Sequence, residues 1–100
     1  MDKEKLVNRI NKFWDDKIIP ALIEYIKIPN KSPSFDLDWE KHGHMDKVLD
    51  LAINWANENK PSGSSLIVER TPGRTPIILL DVPGTIDGNI LMYGHLDKQP

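Results

Sequence analysis

Ser65-Leu-Ile-Val-Glu-Arg70 and Pro76-Ile-Ile-Leu-Leu-Asp-Val82, joined by Thr71-Pro-Gly-Arg-Thr75, are the stretch on which the fold turns. Short β-branched runs bounded by proline and glycine predict two strands, and the Pro-Gly pair between them predicts the loop of a hairpin. A third apolar run, Asn89-Ile-Leu-Met-Tyr93, predicts a further strand, with Pro83 to Gly88 turning the chain into it. The last two runs are almost wholly apolar, the pattern of strands covered on both faces.

Upstream the period changes from two to about 3.6. Leu6, Ile10, Phe13, Trp14, Ile18, Leu22, Tyr25 and Ile26 recur at three- and four-residue steps, the stripe of an amphipathic helix. Pro20 removes a backbone donor within it, so a kink is expected near residues 17–20, and the helix should stop before Pro29. Residues 30–38 have turn formers and no period, and read as a loop. Met45, Val48, Leu49, Ala52, Ile53, Trp55 and Ala56 predict a second helix over residues 40–59, closed by Asn59, Lys60 and Pro61. The expected class is therefore α/β: two N-terminal helices, then a hairpin and a further strand, the start of a mixed sheet flanked by helices. This order leaves the third strand at the end of the chain, short of neighbours and of covering layers.

Composition narrows the function classes. The chain has 100 residues, enough for one small core, with 39% hydrophobic and 28% charged residues, as in ordinary globular proteins. Lys plus Arg number 13 and Asp plus Glu 15, so the net charge of -2 offers no field for phosphate backbones or anionic lipid, and neither nucleic acid nor membrane is an expected partner. Without cysteine there is no disulfide, thiolate metal site or cysteine nucleophile, so any metal must be held by His and carboxylates. The charged start, Met1-Asp-Lys-Glu-Lys5, has no apolar run behind it, and a soluble cytoplasmic chain is expected.

The most informative residues for chemistry close the sequence: Tyr93-Gly-His-Leu-Asp-Lys-Gln-Pro100. An apolar strand would deliver Gly94, His95 and Asp97 to its C-terminal edge, where ligand sites form in open α/β sheets. His95 can present one ring nitrogen to a metal while Asp97 accepts from the other, though on spacing alone a strand-end hydrogen-bonding histidine fits equally. Gly43-His-Met-Asp46 repeats the letters inside a helical stripe, where positions two apart point in different directions, and reads as surface helix. There His42 and His44 would at most hold a stray transition metal weakly. No phosphate-binding glycine pattern and no Gly-x-Ser-x-Gly elbow occurs; the serines read as turn formers and Trp14 and Trp55 as core.

The closing octapeptide resembles the first metal-ligand motif of the co-catalytic zinc peptidases that include carnosinase-type dipeptidases, aminoacylases, acetylornithine deacetylase and succinyl-diaminopimelate desuccinylase. Ile26-Lys-Ile-Pro-Asn-Lys-Ser-Pro33 is similar to the loop after that family's first helix, and Pro76 to Gly84 to the strand ahead of the motif. Lys98 stands where the family commonly has an apolar residue. The resemblance implies that residues 1–100 are the N-terminal part of a metallopeptidase catalytic domain, with the remainder and a lid domain downstream. It implies a dinuclear zinc hydrolase cleaving the amide bond of dipeptides or N-acyl amino acids, with His95 as a zinc ligand and Asp97 as the catalytic-site carboxylate clamping its imidazole. The other ligands and the general base would lie outside this chain, which alone should be inactive and hold no zinc tightly. The truncated sheet predicts a homo-oligomer. The alternative is a complete small α/β binding or assembly module without catalysis.

Overall fold

The computed structural model describes residues 1–100. Asp2 caps the first helix, its carboxylate accepting from the Lys5 N–H at 3.1 Å, and α1 runs Lys3–Phe13. A π-helical turn, Trp14–Ile18, follows, and α2 continues through Ile19–Lys27. The expected kink takes this form because Pro20 has no N–H and its ring would press on the Asp16 carbonyl in a regular α-turn. A wider turn just before it relieves both problems, with the Ile19 N–H reaching back to the Trp14 carbonyl. Lys27 ends the helix because Ile28 precedes Pro29 and is held extended, at φ -82° and ψ 116°.

The second predicted helix is two: α3, Trp39–His42, and α4, His44–Asn59. Gly43 separates them in the left-handed conformation, φ 71°, which stops one helix and starts the next. Strands β1, Ser65–Glu69, and β2, Ile77–Asp81, pair antiparallel, with Ser65 opposite Asp81 and Glu69 opposite Ile77. Pro72 and Gly73, with φ 74° at Gly73, make the turn closed by the Arg74 N–H on the Thr71 carbonyl at 3.0 Å.

The core is small. Met45, Val48 and Leu49 of α4 are its buried apolar side chains, and α4 rests against β1. A radius of gyration of 16.4 Å exceeds the roughly 13 Å of a compact 100-residue domain. The architecture is thus helices plus a two-stranded hairpin, a small mixed α/β fold. No helix is long and apolar enough to cross a membrane.

Three expectations are corrected. The further strand at Asn89–Tyr93 does not form: the segment makes no backbone hydrogen bond, and Ile90, Leu91, Met92 and Tyr93 are all close to nine-tenths exposed. Apolar composition suits a run to a strand, but the ladder needs a neighbouring edge, and the chain leaves β2 through Val82 and Pro83 without folding back along it. For the same reason β2 is not covered on both faces; Ile77, Leu79 and Leu80 stay exposed. Trp14 and Trp55 are not core either, because no layer packs on the stripe of α1 or on that side of α4.

Candidate functional site

The closing residues are held by the turn after α2. Asn30 is 1% exposed, the most buried side chain of the protein. Its backbone carbonyl accepts from the Lys98 N–H at 2.9 Å, and the Lys98 carbonyl accepts from the Ser32 N–H at 2.9 Å. Together these make a parallel bridge between Lys31 and Lys98. The Asn30 side chain donates from Nδ2 to the Leu96 carbonyl at 2.9 Å, and the Tyr25 hydroxyl donates to the same oxygen at 2.7 Å. Lys98 Nζ donates to the Ile28 carbonyl at 2.7 Å and to Asn30 Oδ1, and lies 3.9 Å from the centre of the Tyr25 ring. Burial lowers the pKa of Lys98. Tyr25 is raised, by burial first and by the charge of Asp97 second.

Within this clasp His95 and Asp97 meet as the spacing predicts. His95 Nδ1 lies 2.8 Å from Asp97 Oδ1 and 3.1 Å from the Asp97 backbone carbonyl. Both oxygens accept, so Nδ1 carries the proton and the neutral ring has its lone pair on Nε2. Nε2 makes no hydrogen bond within the chain, and the His95 side chain is 65% exposed. That is the geometry of a metal-ligating imidazole steadied by a carboxylate. Nowhere are three or more His, Asp or Glu side chains gathered to hold a metal ion, so the donors present fit one ligand and its orienting partner rather than a whole centre.

The second Gly-His-x-Asp behaves differently. His44 and Asp46 make no bond with each other; His42 Nδ1 instead meets Asp36 Oδ2 at 2.7 Å, and Asp46 takes Arg70 at 2.7 Å. That hydrogen bond from His42 is the main cause of the lowered pKa of Asp36. The rings of His42 and His44 are 5.9 Å apart, and His44 Nδ1 is buried without a partner.

The spacing of His95 and Asp97 anticipated their contact, whereas nothing in the sequence reading linked Tyr25, Asn30 and Lys98 to them. Tyr25 lies on a helical stripe and reads as core, and nothing local signals that its hydroxyl serves a carbonyl 71 residues away.

No protein-family model matches the chain, and no curated protein matches its sequence.

Proposed function

We propose that these residues form the N-terminal part of the catalytic domain of a dinuclear zinc hydrolase acting on the amide bond of dipeptides or N-acyl amino acids. The observation that supports this best is the His95 Nδ1 to Asp97 Oδ1 bond of 2.8 Å, which leaves Nε2 free on an exposed ring. His95 donates its Nε2 lone pair; Asp97 fixes the tautomer and makes the imidazole a better donor. A zinc ion held by His95 with ligands from elsewhere would supply Lewis-acid polarisation of the scissile carbonyl and would lower the pKa of a bound water. A catalytic zinc needs about three protein ligands, so the remaining ligands and the general base are assigned to residues beyond these 100, and the chain alone is inactive. A cytoplasmic setting accompanies this reading.

The test is to read the gene past Pro100, express the whole open reading frame and measure bound zinc and turnover of dipeptides and N-acyl amino acids. About two zinc ions per chain are expected, with most activity lost in His95→Ala. A stop codon directly after Pro100, or unchanged turnover in His95→Ala, overturns the assignment.

One observation favours a second reading, a binding or assembly module: the exposed apolar run Ile90 to Tyr93, in a fold whose two-stranded sheet has open edges. In either reading that surface supports self-association. A zinc-free, inactive full-length protein that forms stable oligomers through this run would decide for the module.

A further inference from the structure

We infer that Tyr25, Asn30 and Lys98 are positioning residues for the His95–Asp97 pair, so that the turn after α2, and not the segment preceding the motif, sets the direction of the ligating imidazole. The inference rests on the zinc-hydrolase reading for its functional meaning, while its geometry stands apart from it.

On the upstream side nothing holds the pair. Asn89–Tyr93 makes no backbone hydrogen bond, and around Gly94 the space where a Cβ would project is empty to 4 Å. All restraint therefore comes from Leu96 onward. The Leu96 carbonyl belongs to the peptide that enters Asp97, and two donors, Tyr25 Oη and Asn30 Nδ2, fix its direction. One residue after Asp97, the N–H and the carbonyl of Lys98 are both engaged by residues 30 and 32. Asp97 thus leaves a backbone pinned on both sides, which leaves its carboxylate few directions from which to meet Nδ1 of His95.

Lys98 governs the weakest joint of this chain. An asparagine amide can turn over and exchange its oxygen and nitrogen. With its oxygen bound to the Lys98 ammonium, Asn30 has only Nδ2 to offer Leu96. The ammonium is itself held by the Ile28 carbonyl and the face of Tyr25. The order of control runs Lys98 to Asn30, to the Leu96 carbonyl, to Asp97, to His95. An apolar residue at 98 would remove the first step while leaving the two backbone bonds of the bridge intact.

The experiment compares the full open reading frame with Lys98→Met and Tyr25→Phe. Nitrogen-15 labelling of histidine reports the His95 tautomer in zinc-free protein, competition against a chromogenic chelator gives zinc affinity, and kcat and KM are taken separately. In the parent protein His95 should hold its proton on Nδ1. Each variant should show mixed tautomers, about tenfold weaker zinc binding and a reduced kcat at unchanged KM, with the melting temperature of Tyr25→Phe near that of the parent. A single Nδ1–H tautomer in both variants, with zinc affinity unchanged, overturns the inference. Failure of the unmodified protein to take up zinc overturns the hydrolase reading instead, and the tautomer populations alone then decide the clasp.

Discussion

Replacing Asn30 by alanine tests the clasp as a source of stability. The side chain is 1% exposed and makes two hydrogen bonds, Nδ2 to the Leu96 carbonyl and Oδ1 from the Lys98 ammonium. A bond between neutral groups contributes about 0.5–1.5 kcal/mol and one to a charged group about 1.5–3 kcal/mol. Both former partners keep a second bond, from Tyr25 to the Leu96 carbonyl and from Lys98 to the Ile28 carbonyl, so neither is left buried and unpaired. The expected loss is therefore the sum without a desolvation penalty, about 2–4.5 kcal/mol, a large share of the few kcal/mol that a small domain holds. Urea unfolding followed by tryptophan fluorescence measures it. A cycle with Lys98→Met should return a coupling of about 0.5–3 kcal/mol between the two sites, because the second substitution removes little once Asn30 is gone. A loss below about 0.5 kcal/mol, within the range of an ordinary surface change, would refute the assignment of Asn30 as the structural centre of this region.

Leu49→Ala should cost about 2–5 kcal/mol, since Leu49 is one of three buried apolar side chains, and a thermal melt that moves by only a degree or two would show that α4 is not the core. Asp36 has a folded pKa below its ordinary value of 3.8, so its hydrogen bond with His42 stabilises the fold above that value and the contribution disappears as pH falls through the lowered one. The difference in urea midpoint between the parent and Asp36→Asn should accordingly be full at neutral pH and vanish in strong acid; a difference that grew on acidification would contradict the sign. Leu91→Lys places a charge on a fully exposed apolar run and should leave stability unchanged while shifting sedimentation toward monomer. Equal sedimentation of the two proteins would place any association elsewhere.

What could be read from the sequence was local. The hairpin was legible because Pro72-Gly73 is turn chemistry and the runs on either side are β-branched, and the strands fall within a residue of their expected ends. Pro20 located the irregularity in the first helix, though not its π-helical form, which depends on how the preceding carbonyls rearrange. The break at Gly43 was masked because Met45 and Val48 continue a helical stripe whether or not the turn before them is interrupted. The Asn89–Tyr93 segment misled because hydrophobicity shows what a run can bury and says nothing about which edge it meets. In the site the same division holds. His95 and Asp97 are two residues apart, so their meeting was legible from spacing, whereas Asn30 and Leu96 are 66 residues apart and no periodicity links them.

The bridge that ties Lys98 back to the turn after α2 also dictates an order of assembly. Asn30 and Lys98 stand 68 residues apart, and drawing such distant points together costs about 4 kcal/mol of chain entropy, by (3/2)RT ln n. The helices and the hairpin close over far shorter spans, at a smaller cost in chain entropy. Among these 100 residues, the support that Tyr25, Asn30 and Lys98 give to His95 and Asp97 is therefore in place only after the two ends of this long span are joined.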